Sequence, residues 1–349
     1  MINNSFFSTE ILRWFRENGR DLPWRETRDP YAIWLSEIIL QQTRIAQGWE
    51  YWERFMQTYP KVEDLAAASE DDVLKLWQGL GYYSRARNLH TAAKQIVALG
   101  DFPNTLEGIK SLKGVGDYTA AAIGSFAFDI PAAVVDGNVY RVLSRYFGID
   151  TPINSTQGKK EFAALAQSLL PASDAASYNQ GMMDFGAIQC TPQSPKCLLC
   201  PLAETCEALR CGRVEELPVK NKTVKVKTRH LSYIYIRCKS LAADGTGKSE
   251  PMVAIHRRGE GDIWQGLWEP YNVSDVKELP SFVKNPILLA KNVKHVLTHR
   301  ILLADFYLLE TESRPQLPDD YIWIRESEIE DYGVPRLIEI MLEKINPAE

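Results

Sequence analysis

The sequence has no apolar run near the ~20 residues a bilayer span requires, and no basic start followed by a smooth apolar core, so a signal peptide is not expected. Its first residues, MINNSFFSTEILRWFREN, read as an amphipathic helix with Ser8 or Thr9 near the cap. The expected location is the cytoplasm, on the nucleoid if the source is bacterial, with no membrane partner. Positive charge is not in excess. The net charge of −5 counts weakly against a nucleic-acid partner, although distribution matters more than the sum. Acids crowd at Glu63, Asp64, Glu70, Asp71 and Asp72; bases crowd at Arg85, Arg87 and Lys94, and again at Lys220, Lys222, Lys225, Lys227 and Arg229. The first basic group also reads as an ordinary solvated helix face. Internal repeats and low-complexity tracts are missing. Cysteine is scarce, yet four of the six fall between 190 and 206.

What is present is an ordinary globular composition, 45% hydrophobic and 24% charged over 349 residues, enough for two domains. Residues 1–210 carry three- and four-residue apolar spacing, as in VLKLWQGL (73–80) and FAALAQSLL (162–170), broken by short Gly, Pro and Asp turns. About ten helices are expected there. Residues 211–230 lose that period and read as an extended linker. LSYIYIRC (231–238), MVAIHRR (252–258) and ADFYLLE (304–310) read as strands, and RLIEIMLEKI (336–345) as a helix. The predicted architecture is therefore an all-α domain followed by an α+β domain over 231–349.

Three patterns carry chemistry. Cys190, Cys197, Cys200 and Cys206 are spaced C-x6-C-x2-C-x5-C. Four thiolates this close hold a structural zinc or an iron–sulfur cluster, and the chemistry alone does not choose. Cys211 and Cys238 read as packing residues. LKGVGDYTAAAIGSFAF (112–128) reads as a helix end, a tight turn at Gly114, Val115 and Gly116, and an Ala-rich helix. Such a turn leaves backbone N–H groups facing an anion, phosphate above all, unless it simply connects two helices. The third pattern is a pair of acids. Glu37 sits among apolar residues and shares a helix face with Ile33, Trp34, Leu40 and Gln41, where desolvation favours the protonated form. Asp136 precedes the helical run after Gly137 and Asn138, where an N-terminal carboxylate is stabilised as the anion. A salt-bridged core Glu and a plain N-cap Asp are the bland alternatives.

The hairpin, then VDGNVYRVL (135–143), then the cysteine spacing resemble the endonuclease III superfamily of DNA glycosylases. That spacing points to a [4Fe–4S] cluster in a module over about 188–210. LPWR (22–25), LSEIILQQT (35–43), GLGYYSRARNLH (79–90) and YNQGMMDFGA (178–187) resemble the MutY family of adenine glycosylases. The resemblance implies an all-α helix–hairpin–helix glycosylase domain and a MutT/Nudix-like second domain. It implies a monomer acting on double-stranded DNA that holds adenine opposite 8-oxoguanine or guanine.

Removing adenine requires a proton on a ring nitrogen of the leaving base and a negative charge near the oxocarbenium-like sugar, the two demands that place carboxyl pairs in glycosidases. Glu37 fits the acid and Asp136 the stabiliser, with Asn138 holding water or a sugar oxygen as the family implies. Superfamily members that also cut the backbone carry a lysine where this chain has Tyr118. A Schiff base needs an amine, so a monofunctional enzyme is expected, with Lys113 the nearest amine in sequence. The family positions imply that Trp24, Arg25 and Gln180 surround the flipped adenine. Gln42, Thr43, Leu80 and Tyr82 would probe or wedge beside the orphaned 8-oxoguanine, and Arg85 and Arg87 would meet phosphates. One of Tyr82 and Tyr83 is expected to pack in the core.

In the second domain IWQGLWEPY (263–271) resembles the G-x-L-W-E-P stretch of Nudix folds, but NVSDVKELPSFVK after it lacks the R-E-x-x-E-E magnesium array, which excludes pyrophosphatase activity. The 8-oxoguanine loop of the family, close to H-x-F-S-H, reads HVLTH (295–299) here. Thr298 keeps the hydroxyl, His299 follows it, and Leu297 replaces the aromatic residue. The rival readings are a superfamily glycosylase for another lesion or mismatch and a non-catalytic damage-binding protein.

Overall fold

The computed structural model describes residues 4–221, 226–239, 250–274 and 279–345. Lys222 and Lys225 of the basic segment, and 275–278 of the stretch lacking the magnesium array, lie outside these. Twelve α-helices precede the first strand among the described residues: α1 (Asn4–Asn18), α2 (Pro30–Leu40), α3 (Ile45–Thr58), α4 (Val62–Ala67), α5 (Glu70–Leu76), α6 (Ser84–Leu99), α7 (Leu106–Ser111), α8 (Asp117–Phe128), α9 (Gly137–Phe147), α10 (Thr156–Leu169), α11 (Ala175–Asp184) and α12 (Glu207–Arg210). None is long and apolar enough to cross a membrane. Packing divides the chain into two compact units, one of 1–67 and 88–222, the other of 68–87 and 223–349.

The first unit is helical. Its main core joins Phe7, Ile11 and Trp14 of α1, Val142, Leu143 and Tyr146 of α9, Phe162 of α10, and Met182 of α11. Ser8 and Thr9 are not caps: α1 begins at Asn4, and the Ser8 hydroxyl donates to Leu169 O at 2.6 Å from inside the helix. The expected cap lies a turn too late because the apolar Phe6–Phe7 pair continues the helix backwards. Asp29 caps α2, accepting from Tyr31 N at 3.0 Å, and Pro30 fills the first helical position, where its missing N–H costs nothing. Every residue from Tyr31 to Ile39 is buried, so α2 is apolar on all sides. It packs against α8.

The second unit folds around one seven-stranded mixed sheet among the described residues, with β1 (Lys227–Cys238), β2 (Met252–Arg257), β3 (Trp268–Glu269), β4 (Tyr271–Ser274), β5 (Ile287–Val296), β6 (Arg300–Thr311) and β7 (Tyr321–Arg325). The order is β3-β2-β1-β6-β5, with β4 on β1 and β7 on β2; β1 and β6 are parallel, in register Tyr233 to Phe306. Strand β1 is buried on both faces, as its unbroken apolar run requires. Tyr233 and Tyr235 join Phe306 under Leu337, Ile338 and Met341 of α13 (Arg336–Ile345), while Ile234 and Ile236 pack with Ala254 and Leu309 on the other face. Strands β3, β4, β5 and β7 escaped the sequence reading: β3 has two residues and β5 is an edge interrupted by bulges. Cys238 is buried as expected, but Cys211 is exposed and donates to Glu207 Oε1 at 3.2 Å, because the last turn of α12 faces outward.

Phe306 is fully buried at the centre of this sheet. Phe306→Ala should cost about 3–5 kcal/mol. Denaturant unfolding of the full chain should show the sheet's transition at lower concentration while the α-helical unit keeps its own; an unmoved sheet transition would contradict the packing described.

Candidate active site

Glu37 is the one charged side chain in the buried run of α2, with 6% of its surface exposed. Tyr118, on the first turn of α8, donates its hydroxyl to Glu37 Oε2 at 2.8 Å. Burial pushes the Glu37 carboxyl up to about 7; the Tyr118 hydrogen bond opposes this, nearby Asp136 adds to it, and the Arg25 charge opposes it. A carboxyl in this state keeps its proton well above the usual carboxylate range, is about half protonated near neutral pH, and can give the proton up.

Asp136 caps α9. Its Oδ1 accepts from Val139 N and its Oδ2 from Asn138 Nδ2, both at 2.7 Å. The cap position matches the sequence reading, but the expected direction of the carboxyl's shift requires correction. Burial outweighs the hydrogen bonds from Val139 and Asn138 and the Arg141 charge, so the Asp136 carboxyl sits above, not below, its ordinary value. Both acids are therefore raised, and Tyr118 feels the charge of each. Asn138 is itself held, accepting at Oδ1 from Arg141 Nη2 at 2.7 Å. Arg141 also donates to Gly186 O at 2.6 Å and Cys190 O at 2.8 Å. Gly186 lies in the π-helical turn Phe185–Gln189, where a Cβ would stand 2.6 Å from Asn138 Cβ, so glycine alone permits the approach.

Trp24 and Arg25 lie on the 3₁₀ turn Pro23–Arg25. Trp24 is buried edge-on to Trp49 and Trp52, with ring centroids 5.9 and 5.7 Å away. Gln180 is half-buried on α11. Arg25 is held by a residue the sequence reading missed. Asp184, fully buried at the end of α11, accepts from Arg25 Nη1 at 2.8 Å and Nη2 at 2.9 Å, and from Arg20 N at 2.9 Å and Nε at 3.0 Å. The partners are about 160 positions apart along the chain, so only the quoted motif, and no spacing, could have pointed to it.

Gln42 and Thr43 form the turn that ends α2. Gln42 is exposed with a left-handed φ of 59°, and Thr43 N donates to Leu40 O at 3.2 Å. The hairpin runs between α7 and α8. Gly114 has φ 80°, Val115 is buried, and Gly116 occupies the N-cap of α8 with no side chain bonded to the helix's first amides.

In the second unit Leu80, Tyr82, Thr298 and His299 line one cavity of about 670 Å³ with Trp264 and His295. Tyr82 is 48% exposed with φ 48°, and its hydroxyl lies 2.6 Å from Thr298 Oγ1. Left-handed φ at a non-glycine residue costs of order 1–3 kcal/mol and gathers at working sites. Tyr83 is the buried member of the pair. Arg85 and Arg87, read as phosphate contacts, point within the unit. The Arg85 guanidinium lies over the Trp77 ring at 5.0 Å, with burial lowering it to about 10, and Arg87 Nη1 donates to Gln265 O at 2.5 Å.

Cys190, Cys200 and Cys206 pack against the α1–α9 core, and Cys197 belongs to the same charge-coupled group. Burial, then the neighbouring thiols, pushes the Cys200 thiol up to about 12. Arg145, also buried, donates to Cys190 Sγ at 3.4 Å. Among the described residues no group of three or more His, Cys, Asp or Glu is placed to hold a metal ion. The fit to a cluster rests on the donor chemistry: four half-buried thiols whose charges couple to one another deprotonate together only against a cationic centre, and an iron–sulfur cluster supplies it.

Comparison with known proteins gives three matches along the chain. Residues 35–171 match the HhH-GPD superfamily base excision DNA repair proteins, 190–206 the iron–sulfur binding domain of endonuclease III, and 247–344 the NUDIX domain. The chain is 30% identical over 355 residues to the adenine DNA glycosylase of Buchnera aphidicola subsp. Schizaphis graminum, covering 97% of this chain and 98% of that protein. It is 43% identical over 226 residues to the adenine DNA glycosylase of Mus musculus, covering 61% of this chain but only 44% of that protein. A thermostable thymine-DNA glycosylase structure aligns with TM-score 0.56 and 34% identity over 60% of this chain and 97% of its own. A non-covalent endonuclease III–DNA complex aligns with TM-score 0.53 and 23% identity over 61% and 99%, which speaks to fold alone.

Replacing Cys200 by Ser should lower bound iron and the broad near-visible absorption together, whereas Cys211→Ser should leave both unchanged. Iron quantification and an absorption spectrum decide this; a Cys200→Ser protein with full iron would remove Cys200 from the ligand set.

Proposed function

This chain belongs to the adenine DNA glycosylases, base excision repair enzymes with an iron–sulfur domain and a Nudix-type domain, and we propose that it hydrolyses the glycosidic bond of adenine mispaired with 8-oxoguanine or guanine in duplex DNA, without cutting the backbone. The observation that carries this reading is the hydrogen-bonded and charge-coupled group of Glu37, Tyr118 and Asp136 in the first unit.

In this reading the adenine is extruded into the site, at a cost of a few kcal/mol. Glu37 gives its proton to a ring nitrogen of the base. The C1′–N9 bond breaks with its electron pair leaving on adenine, and positive charge spreads over C1′ and the ring oxygen. Asp136, fixed by Val139 and Asn138, offers a carboxylate to that charge. Water then adds at C1′ and its surplus proton leaves to the ionised Glu37. Tyr118 fills the lysine position with a phenol that has no nitrogen nucleophile, and its hydrogen bond orients Glu37. The Trp24 ring and the Arg25 guanidinium would bound the base. Gly114, Val115 and Gly116 would meet phosphate through backbone amides. Gln42 and Thr43 would read a base edge, Leu80 and Tyr82 would fill the opened step, and Thr298 and His299 would contact 8-oxoguanine. Cys190, Cys197, Cys200 and Cys206 would hold the [4Fe–4S] cluster, which would cross-link the 190–206 loop to itself through thiolate bonds. The enzyme would act as a monomer.

The likeness to a thymine-DNA glycosylase favours a second reading, thymine opposite guanine. Duplexes bearing A:8-oxoG, A:G, T:G or thymine glycol, each incubated with protein and divided before hot alkali, separate the two. Strand breaks are expected for A:8-oxoG, fewer for A:G, and only after alkali; breaks without alkali would defeat the monofunctional claim, and preference for T:G would defeat the choice of base. Glu37→Gln should slow base release by roughly 10²–10⁴-fold, the usual weight of a general acid, with mismatch binding little changed. Because the raised Glu37 carboxyl must carry its proton, single-turnover base release should fall as pH rises through about 7. A rate that climbs across that range would contradict Glu37 as the acid.

A further inference from the structure

The Asp184 carboxylate has no place in the reaction above, yet it is the most heavily bonded acid in the helical unit. It is fully buried, and it takes side-chain hydrogen bonds from both Arg20 and Arg25 as well as the Arg20 amide. A second Arg20 nitrogen, Nη2, also donates to Asp184 Oδ1. Arg25 spends both terminal nitrogens on this carboxylate, adds a bond from Nη1 to Arg20 O at 2.9 Å, and lies over the Phe15 ring at 5.6 Å. Its guanidinium therefore has one orientation, set by a two-pronged carboxylate contact of the kind that fixes both angle and distance. The helix carrying Asp184 is itself anchored: Asn179 donates to Ser125 Oγ at 3.1 Å and Ala132 O at 2.8 Å, and accepts from Val134 N at 3.1 Å.

The consequence falls on Glu37. The groups that act on it most are Tyr118 from α8, Asp136 at the head of α9 and Arg25 from the 3₁₀ turn. Arg25 is the cation among them, and its charge favours loss of the proton that the acid must keep. Two guanidiniums with one carboxylate leave a local charge of +1; deleting the carboxylate leaves +2, and deleting Arg20 leaves zero.

We propose that Asp184 is a positioning residue for base release: by clamping Arg25 it fixes where that side chain lies beside the adenine site, and by cancelling part of its charge it keeps Glu37 protonated. The inference rests on the assignment of Glu37 as the acid. It makes opposite demands of two neighbouring substitutions. Asp184→Asn keeps the shape and removes the negative charge, so the alkaline fall in base release should move to lower pH by about half a unit or more. Arg20→Gln removes a cation and leaves Arg25 as the guanidinium facing Asp184, beside the unchanged Arg20 amide, so the fall should move to higher pH. A loss of structure alone would slow both variants at every pH and leave the midpoint in place.

The test is single-turnover adenine release across pH 5.5 to 9 by the iron-loaded full chain, using wild type, Asp184→Asn, Arg20→Gln and Glu37→Gln, with duplex affinity measured alongside. Opposite shifts with affinity held within a few-fold support the proposal. Unmoved midpoints, or shifts in the same direction, overturn it. If Asp184→Asn fails to fold, seen as loss of the cluster absorption, Arg20→Gln carries the test, because that side chain is about one-third exposed. A wild-type pH limb that persists in Glu37→Gln overturns the assignment of the acid, and the proposal with it, and so is told apart from failure of the Asp184 clamp.

Discussion

The candidate site depends on keeping one carboxyl group out of water. Glu37 lies in a helix that is apolar on all its sides, and its polar contact is the Tyr118 hydroxyl. Isolated burial of this kind is expensive for an anion. Desolvation offsets that cost by raising the carboxyl to about 7, and a proton held into that range is one a reaction can use. Packing of α2 against α8 thus sets the acidity, and the hydrogen bond from α8 sets the direction.

Around that group the helix termini do the placing. The Asp29 cap and Pro30 start α2 two turns before Glu37. The glycine hairpin starts α8 one residue before Tyr118, and the N-cap of α9 is Asp136 itself. The same α9 then carries Arg141 and Arg145 toward the cysteine loop, bonding Cys190 at its carbonyl and its sulfur. One helix of eleven residues therefore spans from the second carboxylate to the loop that holds the cluster. The close approach of Gly186 to Asn138 keeps the two ends in register.

Much of this is legible in the sequence because it is local. An acid in an apolar run, an acid before a Gly-Asn helix start, and a Gly-x-Gly turn are features of a few adjacent residues. The tail helix 336–345 and the central strands are legible for the same reason: their periods are unbroken. What stayed hidden depends on distant partners. Asp184 sits in a quoted motif but is distinguished only by arginines far away in the chain. Arg85 and Arg87 look like phosphate contacts until Trp77 and Gln265 come beside them. The downward shift expected of the Asp136 carboxyl is absent because a cap predicts hydrogen bonds but not depth. Edge strand β5 and the two-residue β3 lack the alternation that marks a strand.

The grouping of 68–87 with the C-terminal chain has a bearing on how the protein can be divided. The polypeptide passes between its two units after residues 67, 87 and 222. Gln78 Oε1 accepts from Val334 N at 3.3 Å, and Leu74 lies against the backbone at Gly333 and Gly266. Scission at the linker would therefore yield fragments that do not coincide with the packing units: the C-terminal piece would lack the 68–87 segment that packs with it. The modular boundary suggested by family matches and the boundary of cooperative packing are different places in this chain.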